Sequence, residues 1–177
     1  MEGKIPFYNL VNMLLIGVVF LSGCFIAFTN EMADFIISAY PLTTVLTGFN
    51  STFVFSVLIT ALAYMVGLII NRFSSVVIEE ILILCKIIPN HKKDYKNFNN
   101  CRKENAFLYT LSREYGLSRG NFTLWFLLAI LFAFSTHYLL AIVSFCIAGI
   151  FIVSAVKFSN EIQNIVGDFQ NSRIAKQ

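Results

Sequence analysis

The sequence has few charged residues and few residues that bind metals or break helices. Only 13% of its 177 residues are Asp, Glu, Lys or Arg, and it contains three prolines, two histidines and four cysteines. Soluble domains average about 25% charged residues, so a water-soluble fold is excluded. Without a CxxC pair, a phosphate-binding glycine loop or a hydrolase motif, we expect no metal site, no cofactor and no enzyme activity.

Long apolar runs take the place of charge. Apolar residues make up 57% of the chain, and the mean hydropathy is +0.72. Residues 10–28 and 52–70 are uncharged and long enough to cross a hydrocarbon layer of about 30 Å. Residues 122–156 are too long for one crossing, so the polar cluster at 135–138 predicts a turn between two spans. The sequence therefore predicts an all-α integral membrane protein with four transmembrane helices.

The distribution of Lys and Arg predicts the orientation of these spans. Nine of the thirteen basic residues fall within residues 71–121, whereas residues 30–50 contain none. Because basic loops stay in the cytosol, residues 30–50 are predicted to form an outer loop and both termini to be cytoplasmic, in a bacterial inner membrane. The predicted divisions are residues 1–70 with the first two spans, a cytosolic helical segment at 71–121, and a hairpin with its tail at 122–177.

The second span is predicted to continue into the cytosol. Residues 51–88 contain neither proline nor a glycine pair, so one helix can run to Pro89. Apolar residues recur along its far end at the spacing of a coiled-coil seam, namely Val77, Ile81, Leu84 and Ile88. We expect a second copy of the chain to cover this seam.

Part of the apolar surface of this extension can be covered by the same chain. Ile78 and Leu82 lie on another side of the extension. Residues 100–115 read as a helix that places Phe107, Leu108 and Leu111 on one side and stops at Gly116. This helix is the predicted partner within the chain.

Polar residues along the extension suggest further contacts between copies. Asn71, Arg72, Glu79 and Glu80 form a polar edge, which we interpret as an intersubunit network. The alternative is a solvated helix surface on which Arg72 extends to the membrane interface. Within the spans, close helix packing is predicted at small residues: Thr60, Ala63, Gly67, Ser144 and Ala148.

A group of basic residues in the cytosolic segment exceeds what orientation alone requires. We define the basic face as Lys92, Lys93, Lys96, Arg102 and Lys103. The basic face predicts docking of an acidic soluble protein, with no direct contact to nucleic acid. Contact with anionic lipid headgroups is the alternative interpretation, and membrane lipids are expected partners in either case.

One stretch of the chain resembles a known family. It runs from Gly67-Leu-Ile-Ile-Asn71-Arg72-Phe-Ser-Ser75 into Glu79-Glu80, then through Tyr95 and Phe98 to Glu104-Asn105 and Leu111-Ser112-Arg113. This arrangement resembles the KwaA-like membrane subunits of the Kiwa anti-phage defence system, over the span plan and residues 67–121. The resemblance implies a homo-oligomeric inner-membrane protein that responds to infection and works with a cytosolic, DNA-binding partner. It assigns no functional residue.

Two functions fit these patterns. The first is a non-enzymatic scaffold or sensor that oligomerises and presents residues 71–121 to a soluble partner. The second is a channel-like or pore-forming effector with Ser56, Thr60 and Asn71 as possible lining groups. A membrane-embedded enzyme or a small transporter is a third class, and it is disfavoured because the predicted spans lack the charged residues of proton relays.

Overall fold

The computed structural model describes residues 7–29, 51–89, 98–99, 101–102 and 105–174. Helix α1 spans Phe7–Ala27 and α2 spans Ser51–Phe73. A π-helical segment, Ser74–Ile78, follows α2 without a break and leads into α3, Glu79–Leu84. Helix α4 spans Ala106–Phe134 and α5 spans Tyr138–Ile174. No strand occurs within these described ranges.

Four of these helical runs are long and apolar enough to cross a membrane. They are Asn9–Ala27, Ser56–Leu84, Ala106–Phe134 and Tyr138–Phe169. The predicted all-helical class is therefore confirmed for the described residues, and each of the four predicted spans coincides with a helix that is long and apolar enough to cross a membrane. The orientation and the cytosolic extension of the second helix stay predictions, and the outer loop at 30–50 lies outside the described residues.

The helical run that starts with α2 ends earlier than the sequence predicts. It stops at Leu84 instead of continuing to Pro89, because Lys86 takes a left-handed conformation with φ 57°. The Lys86 N–H then donates to the Ile83 carbonyl (3.0 Å) and the Ile87 N–H donates to the Leu82 carbonyl (2.9 Å). These two bonds form a Schellman motif, which satisfies the last carbonyls of the helix and turns the chain away from its axis.

A second Schellman motif forms the turn between α4 and α5. Thr136 has φ 64°, and the His137 N–H donates to the Phe132 carbonyl at 2.9 Å. The turn occupies residues 135–137, and α5 begins at Tyr138. The turn predicted from the polar cluster at 135–138 is therefore confirmed.

Helix α4 corrects two predicted boundaries. It begins at Ala106, where the Asn105 side-chain oxygen accepts hydrogen bonds from the N–H groups of Phe107 (3.0 Å) and Leu108 (3.3 Å). It then continues through Gly116, so this glycine does not end a helix. A glycine inside a helix costs about 1 kcal/mol, and buried side chains on both sides of Gly116 offset this cost.

The chain divides into two compact units. The first contains Met1–Arg72 and Leu124–Cys146. Its core is a cluster of five buried side chains: Ile16, Ile70, Leu124, Leu128 and Phe132. Helices α1 and α2 touch backbone to backbone, since a Cβ on Gly17 would overlap the carbonyl oxygen of Ala63 and one on Gly67 would overlap that of Met13. The close packing predicted at Ala63 and Gly67 is thus observed.

The second unit contains Phe73–Thr123 and Ile147–Gln177. Its core joins side chains from α3, α4 and α5, and the buried members are Ile78, Leu82, Ile88, Cys101, Leu108, Leu111, Tyr115, Ala155 and Ile162. Ile78 and Leu82 therefore pack inside the chain, as the sequence predicts. Leu108 and Leu111 join them, whereas Phe107 points outward with 56% of its surface exposed.

Candidate functional site

A buried ion pair lies in the second unit. The Arg119 guanidinium on α4 donates a hydrogen bond to the Glu79 carboxylate, the first residue of α3. The two side chains are 11% and 13% exposed. Both residues belong to helical runs that are apolar enough to cross a membrane. Charged residues in such helices are costly unless paired, so the pair is the main candidate for a site.

The π-helical segment places Glu79 in register with Arg119. The Glu79 N–H bonds to the Ser74 carbonyl, five residues back. Buried positions on this run are four residues apart, at Ser74, Ile78 and Leu82. In a regular α-helix a four-residue step rotates the side chain by about 40° beyond one full turn. The wider π turn takes up one extra residue, so these positions stay on one side of the run.

Tyr115 completes the cluster around Arg119. Its ring centroid lies 5.2 Å from the Arg119 guanidinium carbon, within the range of a cation–π contact. The two residues are one helical turn apart on α4, which brings their side chains to the same side of the helix. The Thr123 hydroxyl donates to the Arg119 carbonyl at 3.0 Å, one turn further on. Arg119 therefore contacts an anion and an aromatic face at once.

Two buried polar atoms have no hydrogen-bond partner among the described residues, one within this cluster and one five residues before Glu79. They are the Ser74 hydroxyl and Nε of Arg119. Ser74 is completely buried and Arg119 is 9% exposed. Within the described ranges no group of three His, Cys, Asp or Glu side chains could hold a metal ion. The cluster is suited to holding helices together by paired charge.

No family model matches this chain, and neither a curated protein nor a solved structure matches it. The resemblance to the Kiwa membrane subunits stays a prediction. The ion pair is therefore interpreted from its geometry.

The predicted seam splits into an exposed part and a buried part. Val77, Ile81 and Leu84 expose 36%, 47% and 79% of their surface, and we call them the self-association strip. Ile88 is buried in the core of the second unit, because the chain turns after Leu84. Ile88 therefore does not belong to an exposed seam, in contrast to the prediction.

The residues of the predicted polar edge also lie in two different environments. Glu79 pairs with Arg119 of its own chain, so it is engaged before any second copy arrives. Arg72 and Glu80 are exposed, and Asn71 is half-buried. An intersubunit network of these three residues stays a prediction.

Most of the basic face lies outside the described residues, namely Lys92, Lys93, Lys96 and Lys103. Arg102 is described and exposed, and its guanidinium carbon lies 5.0 Å from the Tyr109 ring centroid. The Tyr109 ring is itself 43% exposed. This contact keeps one charge of the basic face at the surface of the second unit.

Two of the possible pore-lining residues border a shallow groove of about 460 Å³ in the first unit. Ser56 and Thr60 lie along it, and Asn71 is not among its lining residues. The Thr60 hydroxyl donates to the Ser56 carbonyl at 2.8 Å, so this hydroxyl proton already takes part in a hydrogen bond within the helix. The remaining walls are mostly apolar: Leu10, Leu14, Phe53, Val57, Ala61 and Tyr64. The groove is therefore lined as a lipid-facing surface would be.

The sequence alone misses the ion pair, because it assigns both Glu79 and Arg119 to a cytosolic segment, where a charge needs no partner. One signal was available. The uncharged stretch that follows Arg119 in α4, residues 120–134, has only 15 residues. That is shorter than a membrane crossing of about 20 residues, which predicts that the helix continues towards the N-terminus past Arg119.

Proposed function

We propose that the protein is a homo-oligomeric scaffold or sensor of the bacterial inner membrane, which recruits or regulates a cytosolic soluble protein in anti-phage defence. The observation that supports this best is the second unit, which has a hydrophobic core of its own. An organised body of this kind can present a fixed surface to a partner.

Charge distinguishes the two units. The second contains eleven of the thirteen basic residues and seven of the ten acidic residues, a net charge of +4. The first has two basic and three acidic residues, a net charge of −1. Basic segments are retained in the cytosol, so the positive unit is the one proposed to meet soluble proteins. An acidic partner is the chemistry that such a surface favours.

Self-association is proposed to use the self-association strip. Its three side chains are exposed, whereas Ser74, Ile78 and Leu82 of the same run are buried inside the chain. A helix with one side packed and another side apolar and exposed is suited to contact with a second copy. Arg72 and Glu80 flank the strip and can set the register of the contact.

The partner surface is tested by changing all five residues of the basic face to Gln. The full-length chain in nanodiscs is titrated with a candidate soluble protein that is co-encoded with it. We expect the dissociation constant to rise about tenfold, as it would if each charge contributed about 0.3 kcal/mol. The residual binding should depend less on salt, because exposed charges act mainly through screened attraction.

The matched control exchanges Lys for Arg and Arg for Lys at the same five positions. Charge is kept, so binding should stay close to that of the parent. Equal binding by the Gln variant would remove the basic face as the docking site. If the Gln variant instead loses affinity only for anionic vesicles, the basic face contacts lipid headgroups.

Self-association is tested with the double substitution Ile81→Ser and Leu84→Ser. We expect the association constant in detergent or bilayer to fall about tenfold or more, equivalent to about 1.4 kcal/mol. The control is Leu139→Ser with Ile142→Ser on α5, two apolar residues that are 74% and 65% exposed. Equal effects from the two pairs would mean that the strip faces lipid like the rest of the surface.

The role in defence is tested by phage plating on cells that express the chain together with the candidate co-encoded soluble protein. The parent should lower plaque counts, and the Gln variant of the basic face should restore them. Protection by the Gln variant at the parental level would contradict recruitment through this surface.

A further inference from the structure

Arg102 and Tyr109 form a preorganised contact at the surface of the second unit. The Arg102 guanidinium carbon lies 5.0 Å from the Tyr109 ring centroid. Both residues are exposed, Tyr109 by 43%. We call this contact the arginine–tyrosine pair. An exposed arginine that rests on a ring has already lost part of its rotamer freedom, so a ligand can bind it at a smaller entropy cost.

The core of the second unit fixes the backbone on which the pair lies. Each member directly follows a buried residue, since Cys101 is 1% exposed and Leu108 is completely buried. The Asn105 N–H donates to the Cys101 carbonyl at 2.9 Å, and the Tyr109 N–H donates to the Asn105 carbonyl at 3.3 Å. Hydrogen bonds over four residues are helical, so they place positions 102 and 109 two turns apart on one side of the chain.

The sequence around the pair is strongly basic. Residues 86–104 contain six basic and two acidic residues, a net charge of +4. Arg102 itself belongs to the basic face. A surface of this charge favours an anionic ligand. The planar guanidinium also matches a carboxylate, because its N–H groups can bind both carboxylate oxygens at once.

Position along α4 favours a protein over the membrane as the source of that carboxylate. The Arg113 and Glu114 side chains form an ion pair and are 34% and 35% exposed, and exposed charges of this kind do not face hydrocarbon. Tyr109 lies one helical turn, about 6 Å, further from the uncharged stretch at 120–134. Among lipid groups only headgroups can reach this level. A headgroup supplies charge but no apolar side chain to cover the ring.

We infer that the arginine–tyrosine pair is the main short-range contact through which the basic face binds an acidic segment of a soluble protein. A carboxylate of that segment binds the Arg102 guanidinium, and an apolar side chain beside the carboxylate covers the Tyr109 ring. Tyrosine and arginine are enriched among the few residues that dominate the binding energy of an interface. The inference rests on the proposed function, because it names the contact at the proposed docking surface.

Two synthetic peptides of equal length and charge separate this contact from long-range attraction. One repeats Glu-Glu-Leu and the other repeats Glu-Glu-Ser. The full-length chain in nanodiscs of zwitterionic lipid is titrated with each peptide, and empty nanodiscs give the background. We expect the chain to bind the Leu peptide about tenfold more tightly, equivalent to about 1.4 kcal/mol, because only this peptide can cover the ring.

Substitutions of Tyr109 test whether its ring causes that preference. Tyr109→Ser should bind the two peptides within about twofold of each other, whereas Tyr109→Phe keeps the ring and should keep the preference. The matched control is Phe107→Ser, because Phe107 is 56% exposed and lies about 200° away around the same helix. This variant should also keep the preference. No preference in the parent, or equal losses from Phe107→Ser and Tyr109→Ser, would overturn the inference.

A further variant separates this inference from the proposed docking surface. It changes the other four residues of the basic face to Gln and keeps Arg102. It should weaken both peptides by a similar factor and retain the preference for Leu. Parental affinity in this variant would contradict the basic face as the docking surface, while the peptide preference of Tyr109→Ser would still decide the role of the pair.

Nanodiscs with added anionic lipid test the membrane as a competing occupant. Their surface charge repels both acidic peptides equally, so the ratio of the two affinities is the informative quantity. We expect this ratio to stay within about twofold of its value in zwitterionic nanodiscs. If anionic lipid removes the preference for the Leu peptide, headgroups occupy the arginine–tyrosine pair and the inference is overturned.

Discussion

Among the residues that the structure describes, two that are not glycine adopt backbone conformations that L-amino acids rarely take, and both end a helix. Lys86 and Thr136 have positive φ angles at the C′ position of their Schellman motifs. This position favours glycine, because any Cβ there crowds the backbone. Thr136 is the more strained case, since its β-branched side chain adds a further restriction.

Replacing Thr136 with Gly should therefore stabilise the protein. We expect a gain of about 1 kcal/mol from relief of the left-handed strain, seen as a rise in Tm of about 2–4 °C in detergent. The comparison is Ser135→Gly, at a position without a positive φ whose hydroxyl donates to the Leu131 carbonyl at 2.9 Å. That variant should lower the Tm. A gain from Ser135→Gly as large as that from Thr136→Gly would mean that strain at Thr136 is not the cause.

At the scale of single residues, the sequence predicts burial better than pairing. Ile78, Leu82, Leu108 and Leu111 are buried as their helical spacing indicates. The partner of Glu79 could not be read in this way, because Arg119 is 40 positions away and only the fold brings the two together. Local spacing contains no information on such a contact.

Among the elements, the π-helical segment departs most from the pattern in the sequence. It inserts one residue between α2 and Glu79 without interrupting the helical run. Nothing in the residues Ser74–Ile78 distinguishes them from an ordinary apolar helix. Their wide turn follows from the packing of the buried positions, which the sequence alone does not give.

Removing one residue from this segment should be tolerated. Deletion of Val76, which is 66% exposed, can convert the π turn into a regular α turn and leave Glu79 facing Arg119. Deletion of Leu62, 51% exposed and within regular α2, should instead rotate the following residues by about 100° and break the contact of Gly67 with Met13. We expect near-parental folded yield for the first deletion and severe loss for the second. Equal losses of folded yield from the two deletions would show that the π turn does not compensate for a deleted residue.

Helix ends were the other feature of the elements that the sequence did not predict correctly. Pro89 and Gly116 are strong stop signals by residue type, yet the helices end at Leu84 and pass through Gly116. In both cases tertiary packing decides the outcome. Ile88 turns back into the core of the second unit, and Leu111 and Tyr115 bury the helix that contains Gly116.

For the whole molecule, composition and run length are sufficient to predict four spans. Each predicted span depends on the hydrophobic effect summed over about 20 residues, so a misleading single residue does not change the prediction. The division into two units could not be predicted, because three of the helical runs contribute to both units and no linker marks a boundary.

The orientation of the whole molecule can be tested with reporters. A reporter that is active only in the cytosol should give signal when it is fused after Gln177 or inserted at Asn97, and none when it is inserted at Thr44. The reason is the absence of Lys and Arg from residues 30–50, against nine in residues 71–121. A reporter that is active only outside the cytosol, placed at the same three sites, provides the complementary control. Signal from the cytosolic reporter at Thr44 would reverse the assignment of the outer loop.

Because Glu79 and Arg119 are 40 positions apart, they are also synthesised at different times. At about 5–20 residues per second, the ribosome adds Arg119 about 2–8 s after Glu79. Throughout that interval the Glu79 carboxylate has no Arg119 to pair with. The buried pair that holds the start of α3 against α4 can therefore form only after α4 has been made, and the basic residues between Glu79 and Arg119 are synthesised before it.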